Sequence, residues 1–235
     1  TYGSKDLGWE KSYNWNVGLD YGILNNRVDG SIEWFKTTTK GLLFKRTLPI
    51  TSGLTGWGSP LSIWQNIAET SNQGVEVTIN SHNIKTKDFS WTTSLNLSHN
   101  KNKIVKLADL PEFIDGNYIR KEGCSYATIY LREYAGVDPN DGRPMYYDNK
   151  EDENGNRSRN IVYDPNDADR VELKDIYPKL TGGLMNTFNY KFIDLSFNLS
   201  FHLGGYSYDG AMYALQDDGY TAQYNKSTEL RRRWK

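Results

Sequence analysis

The sequence predicts an all-β fold in which antiparallel up-and-down strands form a portion of a transmembrane β-barrel. Apolar and polar residues alternate strictly over stretches of about ten residues or more, so each strand has an apolar face and a polar face. Short turns alternate with long connections rich in glycine, proline and aromatic residues, which is typical of transmembrane barrels. Tyr (17) and Trp (7) together outnumber Phe (8), and such amphipathic rings collect where an apolar region meets water.

Three hairpins carry the alternation. The first joins residues 12–21 to a strand from 28 to about 40 through a turn at Asn25 and Asn26, which tolerate positive φ. The second joins 75–80 to 89–98 around a polar turn, and the third joins 180–190 to 193–203. A strand that covers a soluble core shows the same alternation, so the pattern in one strand leaves both classes open.

The other segments are predicted to be connections. Proline and glycine are dense in residues 42–72, which predicts a long loop. Residues 123–136 predict a strand, and 145–147 predict a short one after a turn at 138–142. Residues 151–159 are polar and charged and predict an exposed loop tip. The tail 206–235 is polar and is expected to be loop-like.

Composition excludes several classes of function. The formal net charge of -1 gives no argument for a nucleic-acid partner. The single cysteine, Cys124, cannot form an internal disulfide. The sequence contains no run of about 18 apolar residues, so it predicts no transmembrane helix. No cofactor is expected, and no arrangement of residues predicts an enzyme.

Several stretches resemble the SusC/RagA-type TonB-dependent outer-membrane transporters. The longest is SYNWNVGLDYGILNNRVDGSIEWF at 12–35. Others, in the order of the family, are LPITSG at 48–53, SNQGVEVTIN at 71–80, LNLSHNKNKI at 95–104, YAGVDPNDGRPMYYD at 134–148 and YPKLTGGLMNTFNYKFIDLSF at 177–197. Because these stretches follow one another in the family's order from residue 12 to residue 197, their combination is much more specific than any one of them.

The resemblance implies a place in the bacterial outer membrane. Members of this family form a barrel of about 22 strands with long extracellular loops and short periplasmic turns. They import oligosaccharides or peptides with a SusD-like surface lipoprotein, using energy relayed by the TonB complex. Residues 1–235 are then expected to be a partial barrel domain, with the plug, the TonB box and the last strands lying outside it.

The two faces of the strands are predicted to have different surroundings. Positions expected to face the lumen are Asn14, Asn16, Asp20, Glu33, Glu76, Asn80, Asn96, Asp194 and Asn198. Positions expected to face lipid are Tyr13, Trp15, Leu19, Trp34, Trp91, Leu195, Phe197, Leu199 and Phe201. Loop aromatics that would contact a substrate or a partner are Trp57, Trp64, Tyr146, Tyr147, Tyr206 and Tyr208.

Alternatives remain open at this point. A soluble β-sandwich or β-barrel carbohydrate-binding module would seal the apolar faces against each other. A glycosidase would need two facing carboxylates, for which Glu33 and Glu76 are candidates that nothing in the sequence pairs. Residues 138–142 and 152–156 faintly resemble calcium loops, but they lack the spacing of such loops and turn chemistry explains both. His82, His99 and His202 are expected to be ordinary polar positions.

Overall fold

The structure is a computed structural model. It describes residues 7–47, 51, 53, 55–56, 59–60, 62–107, 112–217, 223–232 and 234. The strands in chain order are β1 Lys11–Ile23, β2 Val28–Thr47, β3 Thr55–Gly56, β4 Ser59–Pro60, β5 Ser62–Lys85, β6 Phe89–Leu107, β7 Glu112–Asp115, β8 Tyr118–Lys121, β9 Thr128–Leu131, β10 Tyr134–Val137, β11 Pro144–Tyr147, β12 Ile161–Val162, β13 Val171–Asp175, β14 Leu180–Tyr190 and β15 Ile193–Leu203. One α-helix, α1, spans Gly210–Gln216, and 3-10 helices span Pro165–Asp167 and Thr228–Arg232. Within these described ranges, no helix is long and apolar enough to cross a membrane.

The six long strands form one antiparallel sheet in the order β1-β2-β5-β6-β14-β15. This order follows the chain, so it is an up-and-down meander with the excursion 108–179 between β6 and β14. The described part of the sheet is open, with β1 and β15 as its edges. The sheet belongs to the first of two compact units, which comprises Thr1–Phe113, Arg120–Ala127 and Tyr177–Gly205.

The tight turns use a left-handed backbone conformation, which is favourable for two of their residues, Asn25 and Asn26. Leu24, Asn25 and Asn26 all have positive φ, from 54° to 59°, and Lys191 in the turn between β14 and β15 has φ of 54°. Asn adopts this conformation more readily than most residues because its short side chain can hydrogen-bond locally. The connection between β5 and β6 is equally short. The predicted alternation of short turns and long connections is therefore present in the structure.

Aromatic side chains cover glycines on the neighbouring strand at three places. The directly opposed pairs are Tyr21 with Gly30, Phe35 with Gly74 and Phe201 with Gly182. A Cβ added at each glycine would approach a carbonyl oxygen of the adjacent strand to between 1.9 and 2.6 Å, and would also meet the aromatic side chain. The Tyr21 hydroxyl donates a hydrogen bond to the Thr78 carbonyl oxygen at 3.2 Å, which spans two strand spacings. These glycines allow a ring to lie flat on the sheet.

A small buried cluster lies at the end of the sheet opposite the tight turns. It consists of Phe44, Ile67, Ala68, Ile104 and Leu107. Segment 120–127 continues the pairing of β6 beyond the end of β14, because the Ile104 N–H donates to the Cys124 carbonyl at 2.8 Å and the Gly123 N–H donates to the Ile104 carbonyl at 2.9 Å. These bonds attach segment 120–127 to the sheet beside the cluster.

The prediction of a loop over residues 42–72 is wrong for most of its length. Strand β2 continues to Thr47 and β5 begins at Ser62. The two strands stay paired through register shifts next to Gly41, whose φ is +67°. Such a bulge changes the phase of the alternation, so the apolar residues beyond it no longer fit a strict period of two.

The second compact unit comprises Ile114–Ile119, Thr128–Ile176 and Tyr206–Lys235. It has short strands, including the sheet β10-β11-β12 and the pair β13-β9. The strand predicted over 123–136 is here two separate strands, β9 and β10, that belong to different sheets. The tail, expected to be loop-like, contains α1, whose N-terminus is capped by the Asp209 side chain accepting from the Met212 N–H at 2.8 Å.

Candidate functional site

The polar face of the six-stranded sheet brings the nine predicted lumen-facing residues to one side. Residues directly opposite each other in a sheet point to the same face. One row across all six strands contains Gly18, Glu33, Glu76, Ser98, Thr181 and His202. The next two rows contain Asp20 with Asn96, and Asn80 with Asn198. Asn14 and Asn16 on β1 are an even number of residues from Gly18, and Asp194 on β15 is an even number from Asn198. All three therefore point to the polar face as well.

Hydrogen bonds between side chains connect neighbouring strands on this face. The Asn80 amide donates to the Asp29 carboxylate at 3.0 Å, and the Ser94 hydroxyl donates to Asn80 Oδ1 at 2.8 Å. Near the tight turns, Asn189 accepts from the Ser90 hydroxyl at 3.0 Å and donates to Asp194 at 2.6 Å. The face is therefore an ordered hydrogen-bonding surface.

Two glutamates face each other on this surface. Glu33 and Glu76 are directly opposed on β2 and β5, a juxtaposition that sequence reasoning could not establish. Each has a polar neighbour, since Asn16 Nδ2 lies 3.5 Å from Glu33 Oε2 and the Ser98 hydroxyl lies 3.3 Å from Glu76 Oε1. The carboxylates of this face are Asp20, Asp29, Glu33, Glu76 and Asp194, and no position paired with them holds Lys or Arg.

A shallow groove of about 380 Å³ lies over the middle of the polar face. Carboxylate, amide, hydroxyl and imidazole groups line it. The lining residues are Glu76, Val77, Thr78, Asn96, Leu97, Ser98, Thr181, Gly182, Ser200 and His202. It offers many hydrogen-bonding groups, so it can hold a polar solute.

The opposite face of the sheet is apolar and exposed. All nine predicted lipid-facing residues lie on it, as the register shows for each strand. One row contains Leu19, Ile32, Val77, Leu97, Gly182 and Phe201. Trp15 is 69% exposed, Leu195 60% and Leu199 57%. Such a contiguous apolar surface marks an interaction site.

A polar network interrupts this apolar face. Asn186 is buried, and its Oδ1 accepts from Trp91 Nε1 at 2.9 Å and from the Thr93 hydroxyl at 2.7 Å. Asn83 donates to the Thr93 hydroxyl at 2.7 Å. The sequence signal for this network is weak, because a lone Asn in an alternating strand has no obvious partner.

The loop aromatics are only partly brought together. Trp57 lies outside the described residues, and Trp64 is an exposed residue of β5. Tyr146 makes an edge contact with Tyr134 at 5.9 Å between ring centroids, and the Arg159 guanidinium lies 3.9 Å from the Tyr147 ring centroid. One face of Tyr147 is therefore occupied.

Tyr206 and Tyr208 also belong to the second unit. The Lys174 ammonium lies 5.4 Å from the Tyr206 ring centroid, and Tyr208 contacts Tyr213 at 6.5 Å between centroids. Tyr206 is 52% exposed, so it keeps surface for a further contact.

Carboxylates organise the turns of the second unit. Asp148 is buried and accepts from the Asn160 amide at 2.9 Å, the Ser158 hydroxyl at 2.8 Å and the Asn160 N–H at 3.1 Å. These bonds, chiefly that from the Asn160 side chain, hold the pKa of Asp148 below its ordinary value. Likewise, Arg159 forms a two-pronged ion pair with Glu133, at 3.0 and 3.1 Å, and lowers the pKa of Glu133.

The two stretches that resemble calcium loops are hydrogen-bonded turns. Asp152 accepts from the N–H groups of Asn154 and Asn156 at 2.9 and 2.8 Å. Asp138 accepts from the Tyr163 hydroxyl at 2.7 Å and from the Asn140 N–H at 2.8 Å, and the pKa of Asp138 is lowered chiefly by the Tyr163 hydroxyl. No group of three or more His, Cys, Asp or Glu side chains with metal-binding geometry occurs in the part of the chain that the structure describes.

The list of expected lumen-facing positions omits Asp29, and sequence reasoning missed the roles of Asp148 and Glu133. Asp29 had a usable signal, because it has the same parity as Glu33 in β2. Asp148 and Glu133 had none, since their partners are distant in sequence and lie in irregular segments.

Comparisons with known proteins agree with this geometry. Residues 1–232 match the family model described as TonB dependent receptor-like, beta-barrel. The chain is 34% identical over 229 residues to TonB-dependent receptor P3 of Formosa agariphila and 33% identical over 216 residues to TonB-dependent receptor SusC of Bacteroides thetaiotaomicron. Each alignment covers 87% of this chain but only 21% and 20% of those relatives, so the chain spans about a fifth of their length.

Solved structures agree on the fold. The structure of the RagAB peptide transporter superposes with a TM-score of 0.83 and 26% identity, over 100% of this chain and 26% of that one. The RagAB peptide importer in its "open-open" state gives a TM-score of 0.76. Since TonB-dependent receptors are transporters, the prediction that the chain is not an enzyme is confirmed. The predicted fold class is also confirmed, and the chain belongs to the TonB-dependent receptor β-barrel family.

Proposed function

We propose that this chain is part of the wall of an outer-membrane TonB-dependent transporter that imports oligosaccharides or peptides. The observation that carries the proposal is the separation of the two faces over six paired strands, with the apolar one exposed. The apolar face, including the nine positions expected to face lipid, contacts acyl chains. The polar face, including the nine positions expected to face the lumen, borders the path of the solute.

The dimensions of the sheet support this arrangement. The apolar residues of β15 extend from Ile193 to Leu203, which corresponds to about 34 Å along the strand at about 3.4 Å per residue. A strand tilted by about 40° would present this length as an apolar band of about 25 Å, the height found in transmembrane barrels.

The soluble sandwich receives no support from the same observation. It would require a second layer over Trp15, Leu195 and Leu199, and these side chains are more than half exposed. Burying one such side chain contributes about 1.5–3 kcal/mol, so a soluble protein would not leave a whole row of them in water. In a bilayer the same surface is solvated by lipid.

The proposed partners follow from the relatives. RagAB is described as a peptide transporter, and a SusD-like lipoprotein and the TonB complex are the partners that the family resemblance implies. Exposed loop aromatics, among them Trp64 and Tyr206, would contact the solute or the lipoprotein. Whether the solute is a glycan or a peptide is decided by uptake: a strain lacking the complete receptor should fail to take up one of the two labelled classes. Unchanged uptake of both classes would contradict the transport proposal.

The orientation of the wall has its own test. Leu199 and Asn198 are neighbours on β15 that point to opposite faces. In the complete receptor with Cys124→Ser, a nitroxide label would be placed on either Leu199→Cys or Asn198→Cys. We expect the label at 199 to be accessible to oxygen and shielded from a polar nickel chelate, and the label at 198 to show the reverse. Equal accessibility of both labels to the chelate would contradict the assignment.

A further inference from the structure

Beyond the apolar band, the apolar face carries a group of lysines. They are Lys11 on β1, Lys36 and Lys40 on β2, and Lys101, Lys103 and Lys106 on β6, and we call them the lysine patch. The register places them in three consecutive rows: Lys11–Lys40–Glu69–Lys106, Tyr13–Thr38–Ser71–Lys103 and Trp15–Lys36–Gln73–Lys101. The rows lie toward the long-connection end of the sheet.

The charge density of this patch is high. Three rows on four strands cover about 13 Å by 14 Å, from the spacings of about 6.7 Å between alternate residues and about 4.8 Å between strands. The only carboxylate in the three rows is Glu69, which lies 3.8 Å from the Lys40 ammonium. Five of the lysines are exposed, and Lys36 is half-buried. The ammonium groups of lysines so close together repel each other, and anions that lie near them offset this repulsion.

The position of the patch identifies the kind of anion. The row directly below it contains Val17, Trp34, Val75 and His99, and from there to the tight turns no Asp, Glu, Lys or Arg occurs on this face of the described strands. Trp15, Trp34 and Tyr13 are exposed at the boundary. An apolar band, then aromatic rings, then cations is the order of side chains that matches acyl chains, the interface and the head groups of a lipid leaflet.

We propose that the lysine patch binds the phosphate groups of lipid head groups in the leaflet on the long-connection side. The proposal rests on the lipid-facing assignment of the apolar face made above. Head groups that carry phosphates on a sugar fit best, because serine, threonine, glutamine and tyrosine side chains stand between the lysines and can hydrogen-bond hydroxyl groups. A solute on the polar face lies on the other side of the sheet and does not reach the patch.

The test uses the complete receptor in detergent with Lys36→Gln, Lys101→Gln and Lys103→Gln combined. The probe is a bis-phosphorylated glycolipid, compared with the same lipid after removal of its phosphates, and native mass spectrometry counts the retained lipids. The unsubstituted receptor should retain the phosphorylated lipid in preference. The triple variant should retain it at least about tenfold less, because half of the six cations that attract the phosphates are lost.

Two controls make the result specific. Lys85→Gln, Lys87→Gln and Lys191→Gln remove the same charge at the tight-turn end, and this variant should keep the preference. Arginine at 36, 101 and 103 should also keep it. The proposal is wrong if the glutamine triple variant retains the lipid like the unsubstituted receptor, if the control variant loses as much, or if phosphate removal has no effect. A failure of the lipid-facing assignment is recognised separately, because the label at Leu199→Cys would then be exposed to the nickel chelate.

Discussion

The pairing of Tyr21 with Gly30 makes the sharpest prediction about the stability of the sheet. A Cβ at Gly30 would lie 1.9 Å from the Thr78 carbonyl oxygen, 2.8 Å from its carbon and 2.9 Å from the Tyr21 hydroxyl oxygen. The carbonyl is part of a paired strand and cannot move cheaply. Overpacking of this kind costs about 1–3 kcal/mol. Loss of the Tyr21 hydrogen bond to the Thr78 carbonyl adds about 1 kcal/mol.

Replacing a glycine in a strand interior raises the free energy of unfolding by about 0.5–1 kcal/mol, which offsets part of this cost. Gly30→Ala should therefore lower the free energy of unfolding by about 2 kcal/mol. The matched control is Gly18→Ala on β1, where the nearest atom to the added Cβ is the flexible Glu33 Cγ at 3.2 Å. That variant should be unchanged or slightly more stable. Tyr21→Phe should cost about 1 kcal/mol, because only the hydroxyl is lost.

The assay is guanidinium unfolding of the complete receptor in detergent micelles, followed by tryptophan fluorescence. The guanidinium concentration at the midpoint of unfolding should be clearly lower for Gly30→Ala than for Gly18→Ala. If the two variants differ by less than about 0.5 kcal/mol, which is ordinary for substitutions that meet no obstacle, the close approach of ring and glycine does not constrain the sheet.

Two further predictions concern buried polar groups. Asn186→Leu should destabilise the sheet by about 1–3 kcal/mol, because it leaves Trp91 Nε1 without its acceptor on an apolar face. Met185→Leu on the opposite face should be nearly neutral in the same unfolding assay. Equal effects of the two substitutions would contradict the role of the network. Because the pKa of Asp148 is lowered in the folded chain, its stabilisation is complete above the ordinary Asp pKa of about 3.9 and is lost as the pH falls through the lowered value. Hydrogen exchange at the Asn160 N–H should therefore lose protection, relative to the global unfolding reaction, only in that acidic range. Asp148→Asn should remove this pH dependence. Protection that does not change with pH in the unsubstituted protein would refute the role of Asp148.

The regular part of the six-stranded sheet was predictable from the sequence. The hairpins at 12–40 and 180–203 follow from period-two alternation and turn chemistry alone, and the assignment of Asn198 and Leu199 to opposite faces follows from parity. The structure also gives the register between strands, which alternation within one strand does not determine. In this register Glu33 stands opposite Glu76.

The remainder was not predictable for physical reasons. Gly41 is an extra residue in β2 and Ile67 is an extra residue in β5, and each shifts the phase of the side chains beyond it, so Phe44 gave no recognisable strand signal. The second unit is held by contacts such as Asp148 with Asn160 and Glu133 with Arg159, whose partners cannot be paired from local sequence. Short strands with irregular connections have too few repeats for periodicity to show.

The excursion between β6 and β14 leaves the sheet at Leu107 and returns at Leu180 to the same strand edge. The return position is set by the ten residue pairs from Thr181 with Ser98 to Tyr190 with Phe89. Because loop closure depends only weakly on loop length, insertions or deletions within the excursion would change little in the pairing of these two strands. Homologous receptors can therefore vary this excursion while they keep the same paired strands, and a designer could exchange the segment between them at the same two junctions.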